Sequence, residues 1–147
     1  MTPLDRANFS RSSFRWWLPI ASRWADCDGY GHVNNAVYLS WFDTALTTLA
    51  IERGILNAPG QTSIGLCVAS RCEYLSPIGF PQTVHAAVRL GRIGGKSITY
   101  ELALFDTDGS VPLAIGQFTH VYVDRMSRIP VSLSEEQKSA VKDLLHL

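Results

Sequence analysis

The chain has 147 residues, 46% of them apolar and 18% charged, which excludes a disordered tail and fits one compact domain with its own core. Thirteen basic and thirteen acidic side chains cancel. No global field therefore draws the protein to nucleic acid or to an anionic membrane surface, and an anionic ligand needs a local cluster of cations.

Met1 to Ser13 is polar and lacks the apolar run of a secretory signal, so residues 1–13 are expected to be a flexible N-terminus ahead of a single domain over 14–147. No later stretch offers the ~20 apolar residues of a membrane span, and Cys27, Cys67 and Cys72 are odd in number with no CxxC spacing. These features argue against a disulfide framework, a metal site and a membrane location, and for a cytoplasmic protein.

Phe14, Trp16, Leu18 and Ile20 alternate as one face of a strand, in which Pro19 marks an edge or a bulge. A turn over Asp26 to Asn35 leads to a predicted helix from about Ala36 to Arg53, with Asn34 or Asn35 as N-cap and Gly54 ending it. Its apolar residues cover most of the circumference, leaving a narrow stripe of Ser40, Asp43, Thr44, Thr47 and Thr48, so it is expected to be wrapped on most sides. Four alternating segments follow, around Ile64–Val68, Val84–Leu90, Ile98–Leu104 and Val111–Ile115, the last continuing through Val121 and Val123. Ser76 to Gly79, Gly94–Gly95 and Asp106 to Gly109 connect them, and such short glycine-bearing links predict antiparallel hairpins. Ser134 to Leu147 reads as a terminal helix burying Val141, Leu144 and Leu145. One long helix followed by an antiparallel sheet is an α+β arrangement.

Chemistry concentrates between Arg23 and Tyr38. Two carboxylates, Asp26 and Asp28, and His32 stand just before a helix N-terminus, where free backbone N–H groups stabilise negative charge and a carboxylate could serve as base or nucleophile in acyl transfer. Aspartates in such a turn equally well hydrogen-bond the local backbone. A calcium loop does not fit, since Tyr30 and Val37 stand where its fifth and twelfth ligands belong.

The run Asp26-Cys27-Asp28-Gly29-Tyr30-Gly31-His32-Val33-Asn34-Asn35, with Tyr38 beyond it, resembles the signature of the 4-hydroxybenzoyl-CoA thioesterase family. The likeness extends from about Arg15 to Asp124 and includes Gly94 to Glu101 and the turn Asp106 to Gly109. The resemblance implies a hot-dog fold, a long central helix wrapped by a five-stranded antiparallel sheet. It further implies homodimers or homotetramers joined through their sheets, interface active sites, and hydrolysis of acyl-CoA, or an acyl carrier protein thioester, without a cofactor. Asp28 matches the family's catalytic aspartate, acting as nucleophile or general base, and the backbone N–H near Asn35 is expected to face the thioester oxygen. His32, Asn34 and Tyr38 are further candidates. Arg89, Arg92, Lys96 and Ser97 resemble its coenzyme A phosphate site, although hairpin tips commonly carry such charges. The helix has Asp43-Thr44-Ala45-Leu46 where many relatives carry an acidic-x-Ala-Arg stretch. A non-catalytic acyl-CoA binding module is the alternative, and His85, His120 and His146 are read as having no ligand role.

Overall fold

In the computed structural model, which describes residues 2–145, the long apolar helix forms as α1 (Asn35–Glu52), and its ends follow from the residues there. The Asn34 side chain accepts from Ala36 N at 2.9 Å and caps the first turn, while Gly54 at φ 67° supplies the left-handed residue that stops it. Tyr38, Trp41, Phe42, Ala45, Leu46 and Leu49 are buried, whereas Ser40, Asp43 and Thr44 are exposed.

The strands are β1 (Trp16–Ala21), β2 (Ser63–Tyr74), β3 (Thr83–Ile93), β4 (Ser97–Asp106) and β5 (Ala114–Asp124), followed by α2 (Glu135–Val141). They form one antiparallel sheet in the order β1-β3-β4-β5-β2, with α1 packed on one face. Pro19 lies in an edge strand, where its missing N–H costs no ladder bond. Gly94–Gly95 and Asp106 to Gly109 close the expected hairpins β3–β4 and β4–β5.

The Ser76 to Gly79 link is a correction: β2 pairs with β5, and β3 pairs with β1 and β4. A glycine-bearing link sets only the distance between strand ends. Here residues 75–82 carry the chain across the end of the sheet, pinned by fully buried Ile78, whose carbonyl accepts from Val33 N at 2.7 Å. β5 also starts later than expected, at Ala114, leaving Val111 exposed in the preceding loop.

The N-terminal segment, expected to be loose, lies against the other face of the sheet. Phe9 and Phe14 are buried there with Ala87, Ala103, Phe105 and Ile115, so Phe14 does not share a face with Trp16, Leu18 and Ile20, which pack against the α1 core. Arg11 Nη1 donates to the carbonyls of Asp106 and Gly109, both at 2.9 Å, and Leu4 N donates to Glu73 at 2.8 Å. The two phenylalanines give this polar stretch its apolar anchor, because each aromatic ring buries a large apolar area, and the Arg11 and Leu4 hydrogen bonds add to it.

At the C-terminus α2 gives way to a 3-10 turn over Lys142–Leu144. Val141 and Leu144 are buried as expected and Leu145 is exposed. His146 and Leu147 of the predicted helix lie outside the described residues. Among the described residues no helix is long and apolar enough to cross a membrane.

Candidate active site

The loop before α1 is built by its two aspartates in different ways. Asp26 is only 1% exposed. It accepts from Arg23 N at 2.7 Å and from the Arg23 guanidinium at 3.1 and 2.8 Å, and its carbonyl accepts from Asn34 N at 2.8 Å. The guanidinium bond holds the Asp26 carboxyl below the usual carboxylate range, against the upward push of burial. All of Asp26 is therefore committed to shaping the turn.

Asp28 is half-buried and differently placed. Its Oδ1 accepts from Tyr30 N at 2.8 Å and His32 N at 3.4 Å, while its own N–H donates to the His32 carbonyl at 2.8 Å. Gly31, at φ 78°, lets the chain reverse between them. Asp28 Oδ2 has no partner among the described residues, so one oxygen fixes the loop and the other is free.

Asp28, His32, Asn35 and Tyr38 line one cavity of about 360 Å³ at the N-terminus of α1, together with Val33, Tyr74, Leu75, Ser76 and Pro77. Asn34 does not line it; its side chain is spent on the helix cap. In the first turn Ala36 N and Val37 N are taken by the Asn34 side chain and carbonyl, and Asn35 N is the donor left without an acceptor among the described residues. Burial pushes the Tyr38 phenol pKa up, and the Asp28 charge adds to the effect, so Tyr38 is a neutral group beside the carboxylate. A free carboxylate oxygen, a free N–H at a helix N-terminus and a cavity between them can activate a nucleophile and stabilise an oxyanion.

Tyr74 to Pro77 were not singled out from the sequence. Tyr74 donates to the Asn35 carbonyl at 3.0 Å and stacks edge-on against Tyr38 at 4.9 Å. An aromatic at the end of an alternating strand is a weak signal, and reading the next link as a hairpin hid its place. Cys27 is half-buried, and burial pushes the Cys72 thiol up to about 11, so Cys72 offers no ready thiolate.

The coenzyme A cluster does not hold together as expected. Arg89 is 2% exposed and cannot be a surface phosphate ligand. Its Nε donates to Glu101 at 2.7 Å, its Nη1 donates to the Asn8 carbonyl and Ser13 Oγ at 2.7 Å, and the guanidinium lies 4.9 Å from the Phe9 and Phe14 ring centres. The bulge between Leu90 and Arg92 puts both arginines on one face of the sheet, opposite Glu101 and Thr99, and Arg89 is buried there because the N-terminal segment with Phe9 and Phe14 lies over it. Arg92 and Lys96 are exposed at the hairpin and Ser97 is half-buried in it. From Thr83, at the Asp28 end of β3, to Arg92 the strand rises about 30 Å.

A model of the thioesterase-like superfamily matches residues 22–141. The PA5185 protein of Pseudomonas aeruginosa strain PAO1 is similar in structure with a TM-score of 0.87 and 43% identity, over 93% of this chain and 96% of that one. Slr0204, a 1,4-dihydroxy-2-naphthoyl-CoA thioesterase from Synechocystis, shares the fold with a TM-score of 0.76 at 16% identity, over 89% and 98% of the two chains. In sequence, the uncharacterized protein YsmA of Bacillus subtilis (strain 168) is 23% identical over 136 residues, 92% of this chain and 89% of that protein. With its helix wrapped by a five-stranded antiparallel sheet in the hot-dog manner, the chain belongs to the thioesterase-like superfamily.

Proposed function

We propose that the protein hydrolyses acyl-CoA to a free acid and coenzyme A, with Asp28 as the reacting carboxylate. The observation that carries this reading is the pairing of Asp28 with the unoccupied Asn35 N–H on one cavity at the start of α1. In one route Asp28 attacks the carbonyl carbon, the C–S bond breaks, the thiolate leaves to be protonated, and water then hydrolyses the anhydride. In the other, Asp28 takes a proton from water, the hydroxide attacks, and the proton passes to the leaving sulfur. Both place negative charge on the thioester oxygen, where the Asn35 N–H and the helix dipole stabilise it. Slr0204 carries a coenzyme A thioesterase activity on this fold, which supports the substrate class.

Arg92 and Lys96, with Ser97, are the proposed contacts for the anionic end of coenzyme A. In one chain they lie at the end of the sheet away from Asp28. A second copy paired antiparallel along the open edge of β2 would turn its hairpin toward this chain's Asp28 loop, because the Ser63 end of β2 shares an end of the sheet with that hairpin. The composite site therefore favours a dimer.

Thiol release from a panel of acyl-CoA esters tests the reading. Turnover is expected, and Arg92→Ala/Lys96→Ala should raise KM several-fold while leaving kcat nearly unchanged, as for lost uniform binding. Tight binding of acyl-CoA esters without hydrolysis of any would favour a non-catalytic binding module.

A further inference from the structure

A second cavity, of about 250 Å³, lies between α1, β2 and β5, bounded among others by Asp43, Leu46, Thr47, Cys67, His120 and Tyr122. It sits on the same seam between α1 and β2 as the Asp28 cavity. Asn35 and Tyr74 mark one end of the seam, and Asp43 and Cys67 lie further along it. The rise of α1 from Asn35 to Asp43 is about 12 Å, which is within the span of a medium-chain acyl group.

The walls are largely apolar, and His120 stands out among them. β5 alternates so that Phe118, His120 and Tyr122 face α1, which places the imidazole opposite Cys67 in the register and edge-on to the Tyr100 ring at 5.8 Å. Its Nε2 is buried and has no hydrogen-bond partner among the described residues. Buried polar atoms are destabilising when unpaired, and a histidine at a cavity wall can be paired by what enters the cavity. Burial pushes the imidazole pKa down, against the opposing pull of Asp43. The ring is then neutral and offers one donor and one acceptor.

We propose that His120 is a specificity-determining residue: the cavity holds the distal part of the acyl chain, and the imidazole hydrogen-bonds a hydroxyl or carbonyl carried there. Reading His120 as a residue with no ligand role is thereby revised. This inference rests on the acyl-CoA thioesterase reading and narrows its substrate class to acyl groups with a polar function remote from the thioester.

The test compares kcat/KM for ω-hydroxydecanoyl-CoA and decanoyl-CoA. A site built to hydrogen-bond a hydroxyl rejects the analogue that lacks it, so the wild-type protein should prefer the hydroxylated ester by at least about tenfold, one hydrogen bond's worth of discrimination. His120→Leu should bring the ratio to about one, lowering turnover of the hydroxylated ester and raising that of decanoyl-CoA, while His120→Gln should retain a preference. A wild-type ratio near one overturns the inference, as does an unchanged ratio in a folded His120→Leu protein or hydrolysis of shorter esters alone. If neither variant folds, the wild-type ratio decides. Failure to hydrolyse any acyl-CoA ester would instead remove the thioesterase reading beneath it.

Discussion

Two aspartates separated by one residue have opposite assignments because their surroundings differ. Asp26 is buried against an arginine, while Asp28 keeps one oxygen free at a cavity. The residues that line this cavity from the loop were legible in the sequence because Asp28, His32, Asn35 and Tyr38 fall within a short contiguous motif. Arg89 was not legible, since a sequence displays a charge but not its partners: strand register sets Glu101 opposite it, and the N-terminal segment brings Phe9, Asn8 and Ser13 from far along the chain. Removing one member of a buried ion pair leaves the other uncompensated. Arg89→Ala should therefore cost about 3 kcal/mol of stability in urea unfolding, with KM for acyl-CoA unchanged. A raised KM at full stability would return Arg89 to the coenzyme A site.

The elements themselves were largely readable, because a 3.6-residue period switching to a 2-residue period distinguishes the helix from the strands. Their pairing was readable only where a tight turn joined neighbours. The β2–β5 contact joins strands with two others between them in the chain, and no local pattern encodes it. What fixes it is packing. A side chain at Gly116 would come within 2.7 Å of the Phe42 ring and 2.8 Å of the Arg71 carbonyl, so α1 and β2 both close on β5 at this position. Gly116→Ala should cost about 1–3 kcal/mol by overpacking, seen as a lower unfolding midpoint. An unchanged midpoint would mean that α1 sits further from β5 than described.

For the whole molecule, the decisive feature is the open edge of β2. It runs from Ser63 to Tyr74 and exposes Leu66 at 38% and Val68 at 61%. A long apolar edge invites pairing with another chain, and a two-fold contact satisfies both copies at once. Light scattering should report a dimer at micromolar concentration. Val68→Pro should shift it toward monomer and raise KM for acyl-CoA with it, because the hairpin cations then come from no partner. A fully active monomer would contradict the composite site. The opposite face of the sheet is already covered by Phe9 and Phe14, so larger assemblies built through that face are disfavoured.

Asp28 is the residue on which the proposed hydrolysis depends. Asparagine keeps the size and the Oδ1 turn bonds of Asp28 but can neither take a proton from water nor form an anhydride. The most direct measurement is kcat for thioester hydrolysis by Asp28→Asn beside Asp26→Asn, with acyl-CoA binding and thermal unfolding recorded on both. The expected result is nearly complete loss of turnover in a folded, ligand-binding Asp28→Asn protein, and a milder loss with lower stability in Asp26→Asn. Full activity in a well-folded Asp28→Asn protein, or the reverse ranking of the two aspartates, would contradict the mechanism.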